Sequence, residues 1–157
     1  MRRSLAAVLL GIVALAAGCL APRPEVVARN WRPLGRGGPT LETALLTSPG
    51  RAGIVWETYA GEGGAQVVRV TEEYDPAGTE DFCPTAPAGM RRAARVFLLV
   101  EVTVSPDRQA AFAGARAQAY SAKGYFAEYP LDAGVMADLM TRTFPLPCAD
   151  LFLPDYL

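Results

Sequence analysis

The clearest hydrophobic pattern in the chain is a strict alternation over residues 96–104. Aliphatic side chains occupy every even position: Val96, Leu98, Val100, Val102 and Val104. The odd positions carry a mixed set: Phe97, Leu99, Glu101 and Thr103. Because successive side chains of a strand point to opposite faces, the pattern predicts a strand with one face buried in the core.

Two other β-prone runs precede this strand, over residues 54–59 and 65–74. In the second run Val68, Val70 and Tyr74 share one face, while Arg69, Thr71 and Glu73 take the other. Such alternation is typical of an antiparallel pair with one buried face. The intervening Gly61-Glu62-Gly63-Gly64 is better explained as a hairpin turn than as a phosphate-binding loop.

The segment 105–129 supports two interpretations. Ser105-Pro106-Asp107 has the composition of a helix start, and the alanine-rich stretch after it favours a helix over 106–123 in a small α+β domain. The same residues alternate well enough for a strand over 110–120, followed by a turn at Lys123-Gly124. Propensity alone favours the helix.

The C-terminal part predicts a short helix and a final strand. Asp132 is placed to cap a helix whose apolar positions are Val135, Met136, Leu139 and Met140, with Pro145 as its stop. The tail over 151–157 is apolar enough to pair as an edge strand.

The N-terminus has the zones of an export signal. Arg2 and Arg3 precede an apolar run over residues 5–17, which is shorter than the ~20 residues of a membrane-spanning helix. Ala16-Ala17-Gly18-Cys19 follows and resembles the bacterial lipobox. The resemblance implies cleavage between Gly18 and Cys19 and a diacylglycerol on the Cys19 sulfur.

That resemblance also predicts the organisation of the chain and its location. We expect a signal peptide over 1–18, a lipidated and flexible tether over 19–38, rich in Pro, Arg and Gly, and one extracytoplasmic domain over 39–157. The membrane, reached through the lipid, is then the first partner. In a host with two membranes, Leu20 after the cysteine favours the periplasmic side of the outer membrane.

Two cysteines remain once Cys19 carries lipid. Cys83 and Cys148 form an even pair in an exported domain, which predicts a disulfide between them. Prolines flank both residues and indicate stiff, irregular segments. A redox pair normally has the close C-x-x-C spacing, which the chain lacks.

A second resemblance concerns the fold. The run Ala94–Val104, followed by Tyr120-Ser121-Ala122-Lys123-Gly124-Tyr125, is similar to the telokin-like immunoglobulin domain of many bacterial lipoproteins. The resemblance covers about residues 54–129 and implies a mainly β, immunoglobulin-like sandwich with a short C-terminal helix. It favours the strand over 110–120.

Candidate chemistry is sparse. The chain has no histidine, which removes the commonest general base, and it carries no nucleophile motif. Five acids cluster along the chain: Glu72, Glu73, Asp75, Glu80 and Asp81. They suggest either a carboxylate-based envelope hydrolase or a weak calcium site on Asp75, Glu80 and Asp81, although a solvated loop explains them better.

Two further observations bear on partners. Tyr120, Tyr125 and Tyr129 are candidates for an interaction surface, since tyrosine is suited to interfaces. Removing the signal leaves 13 basic residues against 16 acidic ones, a net charge of −3. No basic stripe is present, so we expect no nucleic-acid partner.

The sequence therefore favours a non-enzymatic binding or accessory module of the cell envelope, with no cofactor apart from the covalent lipid on Cys19. The hydrolase using the Glu72–Asp81 acids is one alternative. A structural subunit of an envelope or transport complex is the other.

Lipidation of Cys19 gives the first testable prediction. Cys19→Ala should move the protein out of the membrane fraction or block its processing, because two or more acyl chains hold a protein stably at a bilayer. Fractionation and intact mass measure this. A wild-type protein that keeps residues 1–18 unmodified would contradict it.

Overall fold

The computed structural model describes residues 22–156, so the predicted signal peptide, Gly18 and Cys19 lie outside the described residues. The helices are α1 Pro24–Asn30, α2 Leu41–Leu46 and α3 Gly134–Thr141, with 3-10 turns at Glu62–Gly64 and Cys148–Leu151. The strands are β1 Arg51–Ala60, β2 Gln66–Tyr74, β3 Met90–Arg92, β4 Arg95–Val104, β5 Ala110–Tyr120, β6 Phe126–Leu131 and β7 Phe152–Pro154. Within this range no helix is long and apolar enough to cross a membrane.

Five strands form one antiparallel sheet in the order β1-β2-β4-β5-β6, and β3 pairs with β7 in a separate two-stranded sheet. The mainly β class with a short C-terminal helix is therefore confirmed. The immunoglobulin-like sandwich is not confirmed. A sandwich packs two multi-stranded sheets face to face, whereas the large sheet here stacks against helices and a short ribbon.

The strand over 110–120 is present, and the alternative helix over 106–123 is wrong. β5 pairs with β4 from Arg95↔Tyr120 to Val104↔Ala110, with a bulge beside Glu101. Alanine prefers a helix by less than ~1 kcal/mol per residue. Pairing with the most apolar strand of the chain outweighs that preference.

The core lies on one face of the large sheet. The even-numbered side chains of β4 lie there with Val68 and Val70 of β2 and Ala117 and Ala119 of β5. The same buried cluster takes in residues of all three helices and of the C-terminal segment, from Ala28 to Leu153. Helices and the terminal ribbon therefore cover this face of the sheet.

The predicted tether over 19–38 requires correction, because the residues from Pro24 onward belong to the folded domain. Pro24 opens α1, where its fixed φ suits the first turn. Ala28 is fully buried in the core, and Val27 and Trp31 pack against it. The guanidinium of Arg29 also lies 4.5 Å from the ring centre of Trp56 in β1. The proline and glycine content of this segment concealed an amphipathic helix.

The C-terminal region differs from expectation in its details. Asp132 accepts a hydrogen bond from the Gly134 nitrogen at 2.7 Å. Helix α3 ends at Thr141 and not at Pro145, because Arg142, the residue after it, has a left-handed φ of 61°. The tail does form a strand, β7, although its partner is β3 and not an edge of the large sheet.

The Cys83–Cys148 disulfide is confirmed. The two Cα atoms lie 5.4 Å apart across a sequence separation of 65 residues. The bond joins the loop after β2 to the 3-10 turn before β7. It therefore fastens the C-terminal segment that covers part of the core.

Removing this bond should lower stability without changing the fold. The double variant Cys83→Ala/Cys148→Ala is expected to lose ~4 kcal/mol of unfolding free energy, because the reduced chain regains the entropy of a long loop. Urea denaturation measures the loss. Wild-type protein in a reducing agent serves as the control and should match the variant; an unchanged midpoint in both samples would contradict the assignment.

Candidate functional site

The large sheet has a second face, called the open face below, whose side chains are mostly exposed or half-buried. The strand registers place these side chains on it: Val55, Glu57 and Tyr59 of β1; Arg69, Thr71 and Glu73 of β2; Phe97, Leu99 and Glu101 of β4; Arg116, Gln118 and Tyr120 of β5; Phe126 and Glu128 of β6. Val55 and Phe126 are each 59% exposed. Leu99 is the exception, at 6%.

Three rings form a row at one end of this face, the aromatic row of Phe97, Tyr120 and Phe126. Tyr120 stacks on Phe126 with ring centres 5.6 Å apart, and Phe97 meets Tyr120 edge to face at 5.6 Å. The guanidinium of Arg95 lies 4.8 Å from the Phe97 ring centre. Aromatic rings packed this way present rigid apolar area at the surface.

Ion pairs fill the middle of the open face. The carboxylate of Glu101 accepts from Arg69 at 2.7 Å and from the Tyr59 hydroxyl at 2.6 Å. Arg116 lies 3.5 Å from the same carboxylate. Burial raises the pKa of Glu101, but these hydrogen bonds and the nearby arginines outweigh burial and hold its pKa below the ordinary value.

Two further ion pairs lie on the same face. Arg95 pairs with Glu73 at 2.9 Å, and Arg116 reaches Glu128 at 3.5 Å. Three arginines thus face three glutamates across neighbouring strands. Glu57 adds a fourth glutamate to the face, so the face carries one excess negative charge and offers no electrostatic attraction for a polyanion.

The tyrosines predicted as an interaction surface are only partly brought together. Tyr120 belongs to the aromatic row, and Tyr125 lies beside it in the β5–β6 turn with 55% of its surface exposed. Tyr129 is on the core side of β6, at a position that points away from the open face. The sequence analysis did not predict the ion pair between Arg69 and Glu101. Both residues stand at the odd, less apolar positions of their strands, which face away from the core, and this alternation was the available signal.

Tyr129 instead lines a groove of about 520 Å³ between β6, α3 and the C-terminal segment. Asp132, Asp138 and Asp150 also line it. Burial raises the pKa of Asp150, and burial together with Asp150 raises that of Tyr129. Over residues 22–156, no group of three or more His, Cys, Asp or Glu side chains is arranged to hold a metal ion.

The acidic group Glu72–Asp81 is not a single cluster. Asp75, Glu80 and Asp81 lie exposed after β2, and Asp75 accepts from the Ala77 nitrogen at 3.0 Å in a local turn. Glu72, by contrast, is 0% exposed on the core face of β2. Glu72 stands at an even position of β2, as Val70 and Tyr74 do, so the alternation of the strand directs its side chain into the core.

Glu72 ends a buried chain of hydrogen bonds. The Tyr74 hydroxyl donates to Glu72 Oε2 at 2.7 Å and lies 2.9 Å from Ser48 Oγ. Glu72 Oε1 has no hydrogen-bond partner. Burial raises the pKa of Glu72 to about 7, against the opposing effects of Tyr74, Ser48 and the charge of Arg51. A protonated, neutral carboxyl suits this site best.

Comparison of the chain with protein-family models, curated proteins and solved structures finds no match.

Glu72 should make stability depend on pH. Its folded pKa of about 7 exceeds the ordinary 4.5, so the unfolded chain ionises first as pH rises. The contribution of Glu72 to stability should be largest below pH ~4.5, fall between ~4.5 and ~7, and then level off, with a total loss of ~3 kcal/mol from this group.

Glu72→Gln isolates this effect from the other titrating groups, because the amide has the same shape and does not ionise. We expect the variant's stability relative to wild type to rise by ~3 kcal/mol between pH 4.5 and pH 8. Urea denaturation at several pH values measures it. A difference between the two proteins that stays constant with pH would contradict a buried, neutral Glu72.

Proposed function

We propose that the chain is an extracytoplasmic lipoprotein, anchored through Cys19, whose domain binds a protein of the cell envelope with its open face. The observation that carries the binding role is the aromatic row beside a set of ion pairs, on a sheet face that no described element covers. The domain acts as a non-enzymatic binding or accessory module.

Two features support the location. The lipobox-like Ala16-Ala17-Gly18-Cys19 supplies the anchor. The Cys83–Cys148 disulfide is of the kind that persists in oxidising compartments outside the cytoplasm. In a host with two membranes, we place the protein on the periplasmic side of the outer membrane.

The composition and size of the open face support a protein partner. Aromatic residues and arginine are enriched at protein interfaces, and the row with Arg95 and Arg116 has this composition. Five strands of up to eleven residues give a face of roughly 800 Å², from ~4.8 Å between strands and ~3.3 Å per residue. A typical interface buries about that area on each partner.

The hydrolase alternative receives little support. Paired carboxylates act on a substrate only if both reach it. Glu72 is buried on the core side, while Asp75, Glu80 and Asp81 are exposed in the loop after β2. The alternative of a structural subunit uses the same open face and differs only in whether the complex is permanent.

The aromatic row can be tested with one variant and a matched control. Phe126→Ala should weaken binding of an envelope protein partner at least tenfold, since truncating an exposed aromatic anchor costs ~2 kcal/mol at an interface. Tyr156→Ala removes an aromatic side chain that is 79% exposed and lies outside the sheet, and it should bind like wild type.

Chemical cross-linking in intact cells, followed by purification of the lipoprotein, measures how much of the envelope protein partner remains bound to each variant. Thermal unfolding should show both variants within ~0.5 kcal/mol of wild type, as is usual for surface changes. Equal loss in both variants, or no loss in either, would contradict a role for the open face.

A further inference from the structure

The N-terminal end of the described chain lies at one end of the large sheet. Pro24, the first residue of α1, lines a groove of about 500 Å³ together with Gly64, Pro106 and Arg108. Gly64 belongs to the β1–β2 turn, and the other two residues belong to the β4–β5 turn. We call these two turns, 61–65 and 105–109, the hairpin end of the sheet.

Cys19, the proposed lipid anchor, is close in sequence to Pro24. Five residue steps separate Cys19 from Pro24, and a fully extended chain advances at most ~3.6 Å per step. The lipid-bearing residue is therefore within ~18 Å of Pro24. Because α1 is packed into the core through Ala28, this limit applies to the whole rigid domain and not to a loose segment.

The opposite end of the sheet lies far from the hairpin end that Pro24 contacts. β5 runs for eleven residues from Ala110 at the hairpin end to Tyr120, which spans ~33 Å at ~3.3 Å per residue. Tyr120 pairs with Phe126 across the β5–β6 turn, and Arg95 pairs with Tyr120. The aromatic row therefore lies at the far end.

We propose that the hairpin end is the surface that faces the lipid bilayer, so that the aromatic row is presented ~30 Å further from the membrane. This proposal rests on the lipid anchor at Cys19. It gives the short segment before α1 a function, which is to orient the domain as well as to hold it. A partner then meets the aromatic row away from the lipid headgroups.

The test measures distance from a bilayer at the two ends. The chain from Cys19 to Leu157, which contains every described element, is coupled through the Cys19 thiol to a maleimide lipid. The bilayer is a phosphatidylcholine vesicle carrying a dansyl headgroup lipid. Energy transfer to dansyl is compared for Glu62→Trp, at the hairpin end, and Tyr125→Trp, at the far end, with the unsubstituted chain as the baseline for Trp31 and Trp56.

The added transfer should be at least twofold greater for Glu62→Trp than for Tyr125→Trp. Equal transfer, or greater transfer from Tyr125→Trp, would overturn the proposed orientation. Both substituted side chains are exposed, and thermal unfolding checks that both variants fold.

A linker variant tests whether the short segment causes the orientation. Twenty Gly/Ser residues inserted after Ala21 have a root-mean-square length of ~25 Å, so the difference between the two ends should disappear. A difference that survives the linker would overturn the short segment as its cause. Because the lipid is attached chemically, the result is independent of whether cells lipidate Cys19, which the fractionation of Cys19→Ala decides separately.

Discussion

Five aliphatic side chains of β4, from Val96 to Val104, pack at no more than 1% exposure against the helices and the C-terminal segment. Burying each one contributes ~1.5–3 kcal/mol, and a slip of one residue would turn all five toward solvent. β4 is the central strand of the sheet. Its register therefore determines which side chains of β2 and β5 face the core, and through those strands which side chains of β1 and β6 do so. Packing on one face thereby determines what the other face displays.

Two consequences follow from that register. The odd positions of β4 and the matching positions of its neighbours place the aromatic row and the Glu101 ion pairs on the open face. The same alternation forces Glu72 inward, where burial raises its pKa and only Oε2 is hydrogen-bonded. An acid in the core costs stability at neutral pH, and the hydroxyls of Tyr74 and Ser48 offset part of that cost.

The sequence predicted the features that depend on local alternation and on cysteine pairing: strands β1, β2 and β4, helix α3 and the disulfide. Beyond the β1–β2 hairpin, it could not predict which strands share a sheet, because that pairing depends on distant residues. A motif resemblance led to a sandwich in place of one large sheet covered by helices. Helix α1 was missed because the Pro and Gly content of residues 19–38 was interpreted as a flexible tether. The helical spacing of the apolar residues Val27, Ala28 and Trp31 was the signal that indicated a helix. Glu72 was grouped with its acidic neighbours in sequence, although its parity with Val70 already placed it in the core.

On this view the open face binds a protein of the cell envelope, while Tyr156, outside the sheet, stays accessible. Hydroxyl-radical footprinting of the protein in native membranes, compared with the purified protein, tests this most directly. We expect Phe97, Tyr120 and Phe126 to be protected in membranes, whereas Tyr156, with 79% of its surface exposed, should be labelled equally in both samples. Equal labelling of the three open-face rings in both samples would contradict it.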